Sequence, residues 1–552
     1  MAGEESFLGL DFGTDSVRAL VVDRRGNVRG SAVAPYRHGQ IVAGSAAAGR
    51  LFPEGLPPDF ALQDPDDWLT SAVTAVRRAC AGAGGDTLAG IGVDFTSCTV
   101  VPALSDGTPL ARTGPQMAER PHAWPKLWKH HGAGEQAQRL QDLARQRAEP
   151  WLSRYGGAVG LEWFFPKILE VIERDPAVAA ATEVWVEGGD WIVWQLTGAG
   201  AAGGGQPVRS TCQAGYKAFW SRAEGFPSSE YFGACHPSLL EVVAQKLPGP
   251  FLAPGQEAGT LAEAMAERLG LRPGIPVSTA VIDAHAGVPG AGVAESGTLV
   301  MVLGTSGCHM LMDSRERRIP GVAGVVADGI MPGLYGYETG QASLGDSFEW
   351  VRRMCGQRDF GDLERSAAGV PIGAEGMTVV DWFNGCRTPL MDGALTGAVL
   401  GARLHHGQAH LYRAVMEAAA CGLRWVVETL IAGGLGISRF VATGGLAHAS
   451  PLFLEVTAAL LGSPVEVHPG RQGPALGAAV LGAVAAGSFP QQREAIGSMA
   501  GSTGDRPANR VIEPAPDEAR AYEAVYRRYR ALADELGTHN QANPEPDKGA
   551  DG

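Results

Sequence analysis

The chain has 552 residues, a mass of 57.5 kDa and a formal net charge of −14 at pH 7. A single hydrophobic core seldom serves so long a chain, so the length predicts two large domains or three. The acidic charge, with no long basic stripe to offset it, argues against nucleic acid as a partner. The eight cysteines contain no C-x-x-C pair, which predicts reduced thiols rather than a zinc or redox site.

The N-terminal segment predicts a cytoplasmic protein. Met1 to Ser6 is polar and acidic, and it lacks the basic and apolar regions of a signal peptide. The uncharged stretch from Gly473 to Phe489 is rich in Ala and Gly and too short to predict a membrane span. We interpret it as a tightly packed internal helix and expect no membrane partner.

Two short hairpins with the same turn chemistry are predicted far apart in the chain. One turn is Gly13-Thr14-Asp15-Ser16 and the other is Gly304-Thr305-Ser306-Gly307. The apolar runs that flank them are Phe7 to Phe12, Val17 to Val22, Thr298 to Leu303 and Cys308 to Met312. This spaced repeat predicts two related halves, each of which opens with a hairpin.

Each turn could bind phosphate. The backbone N–H groups of Gly13, Thr14 and Asp15 could hold phosphate oxygens, and Asp11 at the strand end could reach a metal on that phosphate. A tight hairpin without a ligand is the better interpretation of either turn alone. Two turns that face each other across a cleft could grip one phosphate chain, however. The chain has no G-x-x-x-x-G-K-[ST] motif, which argues against a P-loop.

A third glycine-containing element lies further along the chain. Phe440 to Thr443 reads as a strand, and it runs into Gly444 and Gly445, which would let an adenosine lie against the backbone. An ordinary strand-to-helix turn is an equally good interpretation of this segment alone.

Asp283 follows the apolar run Ile275 to Ile282, so its carboxylate is expected where a strand ends. Strand ends in α/β folds commonly face ligands. A carboxylate there could accept the proton of a hydroxyl that attacks a phosphoryl group. An Asp that caps the following helix is the alternative. We interpret the nearby His285 as a packed or hydrogen-bonded histidine, and the spacing of His406 and His410 as weak evidence for a metal pair.

Strands mixed with helices predict an α/β fold. Helices are predicted at Pro166 to Glu173, with Pro166 at the first helical position, at Asp190 to Leu196, capped by Asp190, along Leu411 to Leu430, and at Asp517 to Glu535. The polar tail from Gly537 to Gly552 is predicted to be disordered. The Gly-rich segment Val288 to Ser296 suggests a boundary that divides the chain into residues 7–290, 291–500 and a C-terminal segment, 501–552.

Taken in order, the two turns, Asp283 between them and the Gly444-Gly445 strand end resemble the FGGY family of carbohydrate kinases, over about Phe7 to Gly487. The resemblance implies two ribonuclease-H-like domains, of the sugar kinase, chaperone and actin ATPase type, flanking a catalytic cleft. It also implies ATP and Mg²⁺ as cofactors, and a homodimer.

The resemblance also implies roles for single residues. Asp283 would be the general base, Asp11 would hold Mg²⁺ through water, and Gly444 with Gly445 would border adenosine. The phosphate contacts would come from Gly13, Thr14, Asp15, Gly304, Thr305 and Ser306. The sugar pocket would be lined by Ser97, Lys217, Asp283 and Glu338. Without the resemblance, Lys217 and Glu338 would be interpreted as a surface lysine and a surface ion pair.

Within that family the chain is most similar to the L-ribulokinases. The matching segments are Gly92 to Cys98, Glu162 to Lys167, Ala214 to Lys217 and Tyr337 to Gln341. The implied reaction is phosphorylation of L-ribulose to L-ribulose 5-phosphate in L-arabinose breakdown. Ser97 stands where we expect Ala, which adds a hydroxyl beside the sugar, and Ala402 departs from the family's second signature. The alternatives are a kinase of D-ribulose, D-xylulose or ribitol, and an ATP-driven switch of the actin or chaperone kind.

Overall fold

A computed structural model describes residues 5–82, 87–198, 205–501 and 508–542. Its strands are β1 Ser6–Phe12, β2 Ser16–Asp23, β3 Val28–Pro35, β4 Ile41–Val42, β5 Ala61–Leu62, β6 Leu88–Phe95, β7 Val100–Ala103, β8 Val184–Glu187, β9 Arg209–Ser210, β10 Phe251–Leu252, β11 Glu257–Thr260, β12 Pro276–Ser278, β13 Val281–Ile282, β14 Thr298–Leu303, β15 Gly307–Asp313, β16 Gly324–Ala327, β17 Tyr335–Gln341, β18 Thr378–Val380, β19 Ala398–Leu400, β20 Arg439–Thr443, β21 Val465–Val467 and β22 Arg510–Ile512.

The α-helices are α1 Ala46–Leu51, α2 Pro65–Cys80, α3 Pro115–Ala118, α4 Gly134–Gln146, α5 Phe164–Arg174, α6 Pro176–Ala181, α7 Gly188–Thr197, α8 Thr211–Lys217, α9 Ser229–Cys235, α10 Pro237–Gln245, α11 Glu263–Leu269, α12 Asp283–Gly290, α13 Gly345–Met354, α14 Phe360–Ala368, α15 Gln408–Ala432, α16 Gly445–Ala449, α17 Pro451–Leu461, α18 Gly473–Ala485, α19 Gln492–Met499 and α20 Pro516–Ala542. Short 3-10 segments lie at Leu110–Arg112, Pro121–Ala123, Pro150–Tyr155 and Ala374–Gly376.

Two large sheets organise the chain, and their strand orders correspond. The first runs β11-β12-β6-β1-β2-β3, with β13 also on β6, and the second runs β16-β17-β15-β14-β20-β21-β22. Each sheet contains an antiparallel hairpin, β1-β2 or β14-β15. The second strand of the hairpin also pairs with an antiparallel strand, β3 or β17, and the first strand pairs with a parallel strand, β6 or β20. The α/β prediction and the predicted repeat of two related halves are confirmed.

Helix α18 joins the two halves, because its backbone packs directly against glycines of the first sheet, with no side chains between them. A Cβ on Gly92 would lie 1.7 Å from the carbonyl O of Ala478, and one on Gly9 would lie 1.9 Å from that of Ala475. Gly9 and Gly92 are partners on the adjacent parallel strands β1 and β6. The helix backbone therefore rests directly on the first sheet, although α18 follows the second sheet's strand β21. The predicted tightly packed internal helix is confirmed.

Two predicted helix starts need correction. Helix α7 begins at Gly188, so Asp190 lies in its first turn rather than at its cap. The Asp190 carboxylate instead accepts a hydrogen bond from the backbone N–H of Ser210, at 3.1 Å. Helix α5 begins at Phe164, two residues before Pro166, which still places the proline where its missing N–H costs no intrahelical bond.

The C-terminal segment packs onto the second half. Strand β22 pairs with β21, and Tyr522, Tyr526 and Tyr529 of α20 belong to the core that lies around β14 and α15. The helix continues to Ala542, so the expectation that the disordered tail begins at Gly537 is wrong. Residues 543–552 lie outside the described part of the chain. The division at about residue 290 stays a prediction.

The eight cysteines are all free. Among the described residues, no helix combines the length and the apolar character that crossing a membrane requires.

Candidate active site

A concave site lined by polar groups lies between the two halves. It is a cavity of about 360 Å³, and its wall includes Thr14, Ser97, Lys217 and Asp283 from the first half. The second half contributes Gly304, Thr305, Ser306 and Glu338. The volume and the convergent polar groups are typical of a small-molecule site. The predicted residues Asp11, Gly13, Asp15, Gly444 and Gly445 do not line this cavity.

Asp283 is the first residue of α12, directly after β13, so the predicted strand end is confirmed. Its Oδ1 accepts a hydrogen bond from the next backbone N–H, that of Ala284, at 2.6 Å. Burial in the cleft raises the pKa of Asp283 to about 7, and the charge of Asp11 acts in the same direction. A carboxylate with a pKa near neutral can both take up and release a proton at physiological pH.

Lys217 and Glu338 form a buried ion pair across the cleft. The Nζ of Lys217, the last residue of α8, donates to both Glu338 oxygens, at 2.8 and 2.9 Å. Burial raises the pKa of Glu338, but Lys217 and His285 outweigh that effect and hold it below its usual value. The sequence alone could not pair these residues, which are 121 positions apart, so the surface interpretations of both are wrong.

Ser97 presents an unused hydroxyl to the cavity. Its Oγ is buried without a hydrogen-bond partner among the described residues, which is unusual unless a ligand supplies one. Lys167 holds the loop that carries Ser97 in place, since its Nζ donates to the carbonyl oxygens of Cys98 and Leu127, both at 2.8 Å. Sequence reasoning did not assign Lys167 this role.

The two turns face the same cavity, but their glycines do not offer N–H groups. Gly13 N–H donates to Ser16 O at 3.0 Å, and Gly304 N–H donates to Ser306 O at 3.1 Å. The expectation that the Gly13 amide holds phosphate is therefore wrong, because that amide closes the turn. Thr14 lies in the cavity wall, where its Oγ1 accepts a hydrogen bond from Trp128 Nε1 at 3.1 Å.

Asp94 is a carboxylate that sequence reasoning did not single out. It is fully buried, and its carboxyl group lies within hydrogen-bonding reach of Asp11. It is paired in register with Asp11 on the adjacent parallel strand. Burial, followed by the charges of Asp11 and Asp283, raises its pKa well above the usual value. Asp11 itself pairs with Arg18 at 2.7 Å. Asp94 lies in Gly92 to Cys98, one of the segments that match the family, and that match was the signal that could have found it.

Gly444 and Gly445 adjoin the second turn. Gly444 has a φ of +95°, and a Cβ there would lie 2.5 Å from the carbonyl O of Leu303, the residue before Gly304. The strand end is thus pressed against the start of the second turn. The adenosine contact stays a prediction.

His285, His406 and His410 lie in different surroundings. His285 is buried, with its ring centroid 4.2 Å from that of Tyr216 and its Nε2 3.6 Å from Glu338. The rings of His406 and His410 stack at 5.0 Å, and each Nδ1 accepts a loop backbone N–H. His406 also lies with His405 and Glu375 in a surface group whose ligand atoms are within 4.8 Å of one another.

Known proteins resemble the chain over nearly its whole length. Residues 299–486 match the C-terminal domain of the FGGY family of carbohydrate kinases. The chain is 40% identical to a protein named ribulokinase from Mycolicibacterium smegmatis, over 97% of this chain and 94% of that protein. It is 37% identical to a ribulokinase from Anoxybacillus flavithermus, over 97% and 95%. The solved xylulose kinase of Rhodospirillum rubrum shares the fold, with a TM-score of 0.77, 23% identity and coverage of 97% and 99%. With full-length relatives at this identity and a matching family model, the chain belongs to the FGGY family of carbohydrate kinases.

Proposed function

We propose that this protein transfers the γ-phosphoryl group of ATP to the 5-hydroxyl of L-ribulose, giving L-ribulose 5-phosphate and ADP. The observation that carries the proposal is the cavity, in which Asp283, the Lys217–Glu338 pair and both Gly-Thr turns meet. Two relatives named ribulokinase, aligned over nearly the whole chain, support the choice of sugar.

Asp283 acts as the general base in this reaction. Its carboxylate takes the proton of the 5-hydroxyl, the hydroxyl oxygen forms a bond to the γ-phosphorus, and the bond from that phosphorus to the ADP oxygen breaks. Catalysis of phosphoryl transfer consists mainly of positioning and of neutralising charge. Thr14, Thr305 and Ser306 contact the phosphate chain through side-chain hydroxyls and the turn amides, while Gly444 and Gly445 border adenosine.

Lys217, Glu338 and Ser97 select the sugar. An ammonium group, a carboxylate and a hydroxyl can bind several sugar hydroxyls, and a sugar that lacks one would leave a buried polar group unpaired. The unpartnered Oγ of Ser97 supports this role. The Lys217–Glu338 pair supports it as well, since both heads lie buried at the cavity wall.

The residues around Asp11 suit a divalent cation. Asp94 is buried with its carboxyl group beside that of Asp11, and hard cations such as Mg²⁺ prefer carboxylate and water oxygens. Asp11, through water, and Asp94 would hold Mg²⁺ on the phosphates. When bound, the cation would neutralise part of the charge on the β- and γ-phosphates.

A panel of sugars tests the proposal. We expect a higher kcat/KM for L-ribulose than for D-ribulose, D-xylulose and ribitol, measured by coupled detection of ADP. Faster turnover of D-ribulose or D-xylulose would overturn the assignment of the sugar. ADP release that needs no sugar would instead favour the ATP-driven switch. A homodimer and a cytoplasmic location stay predictions, for light scattering and cell fractionation to test.

A further inference from the structure

Arg387 is a cationic residue of the cleft to which the function above gives no role. It belongs to the connection between β18 and β19, and its side chain lines the cavity. Its Nη1 lies 3.8 Å from the Sγ of Cys308, which directly follows Gly307 at the end of the second turn. The guanidinium group is therefore close to the turn that is proposed to hold phosphate.

The position of Arg387 relative to the sugar site follows from strand register. A Cβ built on Gly340 would point at Arg387 Nη1, at 3.4 Å, so the guanidinium lies over Gly340 on one face of β17. Glu338 is two residues away on the same strand, and side chains two apart share a face. Cys308 pairs with Gly340, and Met310 pairs with Glu338. Arg387 thus lies between the second turn and Glu338.

The loop that carries Arg387 is held in place on both sides. Thr388 N–H donates to Gly340 O at 3.1 Å, and Gly340 N–H donates to Thr388 Oγ1 at 3.3 Å. Cys386 and Asp392 exchange two backbone hydrogen bonds, at 2.8 and 2.9 Å. A side chain on so constrained a backbone is preorganised, which is what a group that stabilises a transition state requires.

The carboxylates of Glu162 and Glu338 act on the charge of Arg387 through space, without forming an ion pair with it. Lys217, the other cation that lines the cavity, is bonded to both oxygens of Glu338. Within the described part of the chain, Arg387 makes no ion pair, and the only hydrogen-bond partner of its side chain there is the Cys308 sulfur. Placing a cation in a partly buried cleft is costly unless an anion binds beside it. An anionic ligand in contact with the guanidinium group would complete the compensation that Glu162 and Glu338 supply at longer range.

We propose that Arg387 binds the phosphoryl group during its transfer, and then binds it as the 5-phosphate of the product. This inference rests on the proposed kinase function. A guanidinium group presents a planar fork of donors that fits two phosphate oxygens. Arg387 neither gains nor loses a proton or a bond. The proton still passes to Asp283, and ADP still leaves with the bonding electron pair.

The test compares Arg387→Ala and Arg387→Lys with the wild-type protein. We expect kcat to fall about 100-fold to 1,000-fold in Arg387→Ala, the usual effect of removing one donor to transition-state charge. The KM for L-ribulose should change little. Calorimetry should show L-ribulose 5-phosphate binding weakened about tenfold or more, with L-ribulose binding retained. Added guanidinium ion should restore part of the kcat of Arg387→Ala, and Arg387→Lys should recover less than wild type.

Two results would overturn the proposal. A raised KM with an unchanged kcat would mean that Arg387 binds a sugar hydroxyl, and unchanged kcat, KM and product affinity would mean that it binds no substrate. The exposed Arg403 lies outside the cavity, so Arg403→Ala is the control and should leave kcat unchanged. Equal unfolding temperatures for the variants and the wild type would show that a loss of kcat is not a loss of fold.

Failure of this inference can be told apart from failure of the proposed function. If the sugar panel identifies another substrate, the same comparison is made with that sugar and its phosphate, because Arg387 is assigned to the phosphoryl group and not to the sugar. Loss of kcat with the new sugar would support the inference, while an unchanged kcat would contradict it.

Discussion

Asp283 is the residue whose environment most closely matches its proposed task. Its carboxylate lies at a strand end in the cavity wall, where burial and the neighbouring Asp11 raise its pKa to about 7. Lys217 lies close enough to oppose this rise, but its charge is also shared with Glu338. A base with a pKa near the working pH combines a useful ionised fraction with a strong affinity for the proton.

The raised pKa predicts the dependence of activity on pH. Below about pH 7 Asp283 is protonated and cannot accept a proton, so kcat/KM should rise with pH through this value and level off above it. The rise should follow the loss of a single proton. Steady-state rates with L-ribulose across this range, under saturating ATP, provide the measurement.

The variant Asp283→Asn tests whether Asp283 causes this pH dependence. It should lose about 100-fold to 10,000-fold in kcat, as expected for removal of a general base, and its residual activity should not follow the same pH dependence. Sugar-dependent ADP release at the wild-type rate, or an unchanged pH profile in the variant, would contradict the role of Asp283.

At the scale of elements, the close contact of α18 with β1 and β6 positions the site. Strand β6 carries Asp94 at its end, and the loop after it carries Ser97. The strand can approach the helix backbone because Gly90 and Gly92 lack side chains. The same packing brings Pro474, near the start of α18, into the wall of the cavity.

Gly92→Ala tests this packing. Its new Cβ would lie 1.7 Å from the carbonyl O of Ala478, and backbone cannot yield as a flexible side chain can. We expect the free energy of unfolding to fall by at least about 1–3 kcal/mol, measured by denaturant unfolding. Gly49→Ala is the control, since Gly49 lies in α1 with nothing near its Cβ position and should gain up to about 1 kcal/mol. Equal stabilities for the two variants would refute the close-packing account.

At the scale of the whole molecule, the site depends on both halves. Thr14 and Thr305 come from the two related hairpins, and the Lys217–Glu338 pair spans the cleft between the halves. A ligand that fills the cavity adds contacts to both walls and excludes water, which would otherwise compete for the γ-phosphate.

We therefore predict that the two halves close further around their substrates. X-ray scattering should show a smaller radius of gyration when L-ribulose and a nonhydrolysable ATP analogue are both present than when neither is. Asp283→Asn with L-ribulose and ATP should compact in the same way, because that variant is expected to bind both substrates and to convert them only slowly. An unchanged radius in both experiments would count against closure.

The amino-acid sequence by itself determined the local elements. Hairpins β1-β2 and β14-β15, the strand before Asp283 and helix α18 were predictable because apolar alternation, Gly-Thr turns and runs of small residues act over a few positions. The repeat of the turns also indicated two related halves. The order of these motifs indicated the carbohydrate kinase family, and that resemblance, rather than any local pattern, suggested Lys217 and Glu338.

Only the tertiary structure decided which distant groups meet. It paired Lys217 with Glu338 over 121 positions, aligned Asp94 with Asp11, and brought Arg387 beside Cys308. It also showed that the amide of Gly13 closes its own turn. The physical reason is that burial and charge compensation depend on the packing of both halves. From its local sequence a polar residue is interpreted as exposed, because the partner that would compensate its burial lies elsewhere in the chain.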